Sequence, residues 1–198
     1  TSSKSLSRYL EKNYKVNKLK IQTMYPPIDT DVYKPIDKRQ SRQRLCIKGC
    51  VNLLLYIGNL RKQRFPEDMI LRLMKKLVKR NPKIKLLVFS PKNHENMKRR
   101  TEVLAKVSAS NLWQNIQINV RDLSEIEKSV IYSASDLFLF LPLRSGEAIE
   151  PPVTVLEALS CGLPVISNDV ASVDEVIKDK FNGSPWGTVK LTYLSAEH

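Results

Sequence analysis

The sequence predicts an α/β fold, a Rossmann-like doubly wound parallel sheet with helices on both faces. Three observations lead there. Strand and helix patterns alternate from residue 51 to residue 183, with no internal repeat. Residues 137–141 form a continuous apolar run, the mark of a strand buried on both faces. Residues 137–168 then run strand, loop, helix, turn, strand, and the rest of the chain is organised around that stretch.

Taken in order, residues 1–20 are polar and basic. Ser3 can cap a helix through Tyr14, with Leu6, Tyr9 and Leu10 as its sparse apolar face. Residues 21–35 carry Pro26, Pro27 and Pro35 and make a stiff, extended linker. Residues 36–50 are a charged stretch with a short surface helix, and residues 51–57 are the first strand. The helix over 67–80 shows an apolar stripe of Met69, Ile70, Leu73, Met74 and Leu77, and Asn81-Pro82 ends it. A strand over 84–90 follows, then a very basic helix over 93–108 with a modest apolar face of Met97, Val103, Leu104 and Val107. Residues 116–120 alternate as a third strand. Ser124 caps a helix over 125–135 whose Ile126, Val130 and Ile131 face the core.

Pro142 stops the strand over 137–141, and residues 144–150 are a polar loop. Pro151 and Pro152 suit a helix's first turn, where their missing amides would be unpaired anyway. Val153, Leu156 and Leu159 recur at helical spacing; Gly162 suits a left-handed cap, and Pro164 follows. The last strand covers 163–167, a short helix 173–178, and Asn182-Gly183 is a turn. The expected organisation is an arm and linker over 1–35, the main domain over 36–183, and a tail over 184–198.

Composition narrows the function classes. In 198 residues, 42% are hydrophobic, which suffices for a sizeable core, and no apolar run is long enough to span a membrane. Residue 1 is Thr rather than an initiator Met, so the chain is expected to be an excised or processed piece. Lys and Arg total 33 against 20 Asp and Glu, a net charge of +13 that attracts polyanions without specificity. The charges are spread along the chain, and no zinc finger, helix-turn-helix or RNA-recognition signature accompanies them, which argues against dedicated nucleic-acid binding. Cys46, Cys50 and Cys161 make an odd count without a metal quartet, and buried free thiols in a reducing compartment are expected. His94 and His198 sit in no motif, so a Ser/His/Asp or His-metal mechanism has no support.

Two loops carry the candidate chemistry. Gly58 to Pro66 is basic, follows a strand and precedes a helix N-terminus, a sensible diphosphate site; Gly58 permits close backbone approach. Glu150 and Glu157 bracket the start of the later helix, seven residues and about 10 Å apart along one face. That span matches the reach from a sugar ring to a ribose across a diphosphate.

At these residues the chain resembles the donor-binding domain of retaining, family-four-like GT-B glycosyltransferases, over residues 20 to 183. The segment Leu156-Glu157-Ala158 to Gly162-Leu163-Pro164-Val165 follows the family's Leu-Glu-Ala-x-x-x-Gly-x-Pro-Val. The family spaces its two glutamates eight apart, and position 149 here is Ile, so either Glu150 or Glu147 fills the first place. The first loop departs from Gly-Arg-Leu-x-x-x-Lys-Gly: Asn59 stands at the Arg position and Arg64 at the Lys position, with Arg61 or Lys62 to supply the missing charge.

The resemblance implies a single GT-B half-domain that binds a UDP or GDP sugar and, in the whole enzyme, transfers a hexose with retention to a glycan or lipid-linked acceptor. Glu150 and Glu157 would be the catalytic pair. Glu157 would accept from ribose hydroxyls and Glu150, or failing it Glu147, from sugar hydroxyls. Gly58, Asn59, Arg61 and Arg64 would meet the diphosphate, with the Val153 and Thr154 amides behind them. Backbone around Arg121, Asp122 and Leu123 would hold the base. No metal or other cofactor is implied. The acceptor domain, normally N-terminal, is missing from this chain, and the fragment alone would turn over little or nothing. A cytoplasmic location is expected, with peripheral contact to an anionic membrane surface. Two rivals are a standalone nucleotide-binding or regulatory module, which an upstream domain would exclude, and a basic polyanion-binding domain, which steep salt dependence would reveal.

Overall fold

The computed structural model describes residues 1–49, 51–144, 150–168, 170 and 172–177, and the backbone of Val189–Lys190. The chain runs α1 (Lys4–Tyr14), a 3₁₀ turn (Lys18–Lys20), α2 (Lys38–Arg44), β1 (Asn52–Ile57), α3 (Glu67–Arg80), β2 (Ile84–Ser90), α4 (His94–Ala109) and β3 (Ile116–Val120). It continues with α5 (Glu125–Ala134), β4 (Leu137–Phe140), α6 (Val153–Ser160), β5 (Val165–Ser167), α7 (Val173–Val176) and β6 (Val189–Lys190). The strands lie in the order β3-β2-β1-β4-β5-β6, every neighbouring pair parallel. The doubly wound α/β fold that the sequence predicts is the one observed, and the sheet extends through β6 into the 184–198 segment. The order reverses between β1 and β4, and in such sheets the crevice at the strands' carboxyl ends opens at that reversal.

Period-two alternation builds a core on each face of the sheet. Leu54 and Tyr56 of β1 pack with Ile70 and Met74 of α3 and Val103 and Val107 of α4. Leu55 and Ile57 join Ile131 and Tyr132 of α5 and Val155 and Ala158 of α6. The run in β4 divides the same way, Leu139 to the first core and Phe138 and Phe140 to the second. Each such buried side chain contributes on the order of 1.5–3 kcal/mol.

Caps fix where the helices begin. The Ser3 hydroxyl accepts from the Leu6 amide, and Ser124 and Glu127 form a reciprocal capping box on α5. Gly162 has φ +72°, and the chain turns back there with the Leu163 amide donating to the Ala158 carbonyl (2.9 Å). The arm packs onto the domain. Tyr33, Ile28 and Val32 join the second core, and the Ser160 hydroxyl donates to the Tyr33 carbonyl. Glu175 of α7 accepts from the Lys4 amide (2.9 Å), the Ser5 amide (2.8 Å) and the Tyr25 hydroxyl (2.9 Å). Burial alone would raise the Glu175 carboxyl, but these donors win and hold it below the usual range.

Several expectations are corrected. Met97 and Ile126 are 45% and 68% exposed. Both lie in the first turn of their helices, which start at the carboxyl edge of the sheet. In α1 the apolar positions are not the packed ones: Ser3 and Ser7 are buried, while Leu6 and Tyr9 are exposed. The Ser7 hydroxyl meets the hydroxyls of Thr1 and Thr23 at 2.5 and 2.7 Å, so that helix docks through polar groups. Cys46 is exposed rather than buried, because α2 ends at Arg44 and Cys46 takes a left-handed backbone (φ 54°); Cys161 is buried as expected, and Cys50 lies outside the described residues. Pro151 and Pro152 stand outside α6 rather than in its first turn: Pro152 is the extended N-cap (φ −66°, ψ 123°) and Val153 the first helical residue. Glu150 and Glu157 therefore do not share a helical face.

Candidate functional site

The loop after β1 is held by backbone and by charge. The Gly58 amide donates to the Phe89 carbonyl (3.0 Å), and a Cβ at Gly58 would come within 2.9 Å of the Tyr56 hydroxyl. That hydroxyl donates to the Asn59 carbonyl (2.7 Å), and the Asn59 side chain accepts from the Arg61 amide (2.9 Å). The Arg61 guanidinium forks onto Glu95 at the start of α4, with contacts of 2.9–3.0 Å. Arg64 lies 5.7 Å from the centroid of the Phe140 ring and beside the Tyr56 phenol, which burial pushes up and the Arg64 charge pulls back.

A part-buried ion cluster around the buried Glu67 stands behind this loop. Glu67, first residue of α3, accepts from Arg99 (2.9 Å) and Lys106 (3.0 Å), and Arg99 also donates to the Leu60 carbonyl (3.1 Å). Burial works to raise the Glu67 carboxyl, yet the Lys106 and Arg99 donors hold it below the usual range. The Leu60 amide donates to the Asn96 side chain (3.0 Å), so α3 and α4 together fix the loop's position.

The loops after β1 and β4 meet. The Leu143 amide donates to the Gln63 carbonyl (2.8 Å), across the reversal point of the sheet. Glu150 is half-buried just before the two prolines, and Glu147 lies outside the described residues. In α6 the Pro152 carbonyl accepts from Val155 and Leu156, so the Val153 and Thr154 amides are left at the N-terminus of the helix.

Between the ends of β1, β2 and β3 lies an open cleft. Ile57, Phe89, Ser90 and Pro91 form one side; Arg121, Asp122, Leu123 and Lys128 form the other. Arg121 stacks over Phe89 at 5.5 Å, pairs with Glu127 (2.8 Å), and its amide donates to the Ser90 carbonyl (2.9 Å). The Asp122 carboxylate accepts from the Lys92 amide (3.0 Å). These bonds hold the 121–123 backbone rigid at the cleft wall.

Glu157 is 4% exposed. One of its oxygens accepts from Lys128 (3.1 Å) and the other from the Tyr132 hydroxyl (2.8 Å), and Lys128 also reaches the Tyr33 hydroxyl (3.4 Å). Burial first, and the Glu157 charge second, push the Tyr132 and Tyr33 phenols up.

The structure thus brings Gly58, Asn59, Arg61 and Arg64 together in one loop, sets Arg121 to Leu123 on the cleft wall, and puts Val153 and Thr154 at a helix start. Glu157 sits among Lys128, Tyr132 and Tyr33. Sequence reasoning missed Lys128, Tyr132, Tyr33 and Glu95. One signal was present for the first two: Lys128 and Tyr132 are four apart in a capped helix and so share a face. Among the described residues, no group of three or more His, Cys, Asp or Glu could hold a metal ion, and no helix is long and apolar enough to cross a membrane.

A crevice at the reversal point of a parallel sheet is where α/β domains take nucleotide-type ligands. The chain belongs to the glycosyl transferases group 1 family, whose model matches residues 37–185. It is similar to a D-inositol 3-phosphate glycosyltransferase of Segniliparus rotundus, 23% identical over 88% of this chain and 37% of the relative. It is likewise similar to a chitobiosyldiphosphodolichol beta-mannosyltransferase of Candida albicans, 24% identical over 92% of this chain and 40% of the relative. The fold matches that of HepE from Anabaena, solved in complex with UDP and glucose, with TM-score 0.72 and 13% identity over 96% of this chain and 48% of the other. The chain spans about two fifths of the length of the curated relatives it matches.

Proposed function

We propose that this chain is the donor-binding domain of a glycosyltransferase that moves a hexose from a UDP or GDP sugar, with retention, to a glycan or lipid-linked acceptor. One observation carries the reading. The basic loop after β1 and the loop after β4 meet at the carboxyl edge where the strand order reverses, and the 121–123 cleft wall lies along the same edge, beyond the ends of β1 and β2. The HepE complex with UDP, on the same fold, supports a nucleotide-sugar donor, and the dolichol-linked relative supports a lipid-linked acceptor.

In this reading the base lies against Arg121 to Leu123 and the ribose hydroxyls reach Glu157. Arg64 and Arg61, with the Gly58 and Asn59 backbone and the α6 amides of Val153 and Thr154, take the diphosphate. Glu150, or Glu147 in its place, holds the sugar hydroxyls. Neutralisation of the leaving diphosphate is assigned to these basic groups and to the helix N-terminus rather than to a metal. The acceptor is assigned to the part of the protein that corresponds to the rest of the relatives' length. The reading places the enzyme on the cytoplasmic side of an anionic membrane. The exposed face of α3 carries Arg72, Lys75, Lys76, Lys79 and Arg80 at helical spacing, and this supports contact with that surface.

Calorimetric titration of the chain with UDP and GDP at high salt tests the reading. Saturable binding of one diphosphate that survives salt is expected. Binding that collapses with salt, equal for both nucleotides and for inorganic diphosphate, marks a polyanion binder instead.

A further inference from the structure

The cleft contains a cation that the motif loops leave out. Lys128 lines the cleft beside Leu123 and is 26% exposed at its side chain. Its ammonium donates to Glu157 (3.1 Å) and to the Tyr33 hydroxyl (3.4 Å), and it lies 5.9 Å from the Tyr33 ring centroid. Glu157 and Tyr33 are themselves buried, and the Tyr132 hydroxyl occupies the other Glu157 oxygen. An ammonium has three N–H donors. Two are directed at Glu157 and Tyr33, and the third has no protein acceptor among the described residues. The residue also sits in the first turn of α5, where the helix dipole disfavours a cation, so the buried carboxylate is what holds the charge in place.

We propose that Lys128 is a ligand-contacting residue of the nucleotide site, donating its third N–H to a ribose oxygen, with Tyr33 and Tyr132 as positioning residues behind it. The proposal rests on the donor-site reading and deepens it: the Lys128–Glu157 pair holds the ribose, and the lysine is its exposed member. The choice of ribose over phosphate follows from charge. Glu157 already neutralises the ammonium, so the pair presents a near-neutral donor suited to a hydroxyl, whereas Arg64 and the α6 amides offer positive potential for a diphosphate.

The test uses the full chain, whichever of UDP or GDP it binds, and the matching nucleoside. K128M is expected to weaken nucleotide and nucleoside by the same factor, about tenfold, the scale of one hydrogen bond from a charged donor. K128R, which keeps charge and donors, is expected to recover most of that loss. K128M leaves a buried carboxylate short of a partner, so a second measurement uses the unmodified chain. There the nucleoside is expected to slow reductive methylation of Lys128 while Lys75 and Lys76 on α3 react unchanged. Unaltered binding by a folded K128M, a loss confined to the diphosphate, or unprotected Lys128 in the saturated chain would each overturn the assignment. If the unmodified chain binds neither UDP nor GDP, the donor-site reading falls and this inference with it.

Discussion

Replacing Glu157 with Gln probes site and stability together. The carboxylate accepts from Lys128 at 3.1 Å and Tyr132 at 2.8 Å and is 4% exposed. Gln has the same shape but only one acceptor oxygen, and an ammonium cannot accept from its amide. The oxygen must therefore turn to Lys128 and the amide to the Tyr132 hydroxyl, whose own proton loses its partner. A hydrogen bond involving a charged group contributes about 1.5–3 kcal/mol and a neutral one about 0.5–1.5, so the Tyr132 bond loses on the order of 1 kcal/mol; Lys128 remains a charged donor but loses the opposite charge of its partner, which weakens that bond by about as much. Lys128 is 26% exposed and can take a water, which caps its share. The total is about 2 kcal/mol, or roughly 4–8 °C in Tm for a chain of this size. Urea unfolding followed by circular dichroism should show a lower midpoint at an unchanged slope. Affinity for the nucleoside and for its diphosphate should fall together, because both contain the ribose. A variant within about 0.5 kcal/mol of the parent, the ordinary scatter for surface substitutions, or one that binds nucleoside normally, would refute the reasoning.

Other expectations follow from the same geometry. Arg64→Ala should weaken the nucleoside diphosphate by about 1.5–3 kcal/mol and the nucleoside hardly at all, by calorimetry; equal losses would make Arg64 structural. Glu150→Gln should weaken the nucleotide sugar but not the bare diphosphate, and if Glu147→Gln does so instead, the sugar-binding role passes to Glu147. Glu175 is held below the usual glutamate value, so its contribution is present above about pH 4.3 and lost as pH falls through its lower folded value. The Lys4 and Ser5 amide resonances should report α1 detaching in acid, and Glu175→Gln should remove that transition.

Much of the fold was legible because its signals are local. The apolar runs ending at Ile57 and Leu141, the Ser3 and Ser124 caps and the Gly162 turn each act within a few residues. Met97 and Ile126 mark the limit of periodicity, which names a face but not whether anything lies opposite it. Cys46 stands two residues beyond the end of α2, where a charged stretch alone does not show the helix stopping. In the site, Gly58, Arg64 and Glu157 stood out through motif and composition. Their partners did not, because Arg61–Glu95, Lys128–Glu157 and Leu143–Gln63 join residues 34, 29 and 80 positions apart, and only the sheet brings them together.

The central claim is that a nucleoside diphosphate binds where the two loops and the cleft meet. Amide chemical shifts of the labelled chain, titrated with UDP or GDP at high salt, test it most directly. The account predicts saturable shifts clustered at Gly58 to Phe65, Arg121 to Leu123, and Val153 and Thr154. Shifts confined to the exposed face of α3, or scattered over the basic surface and abolished by salt, would contradict it.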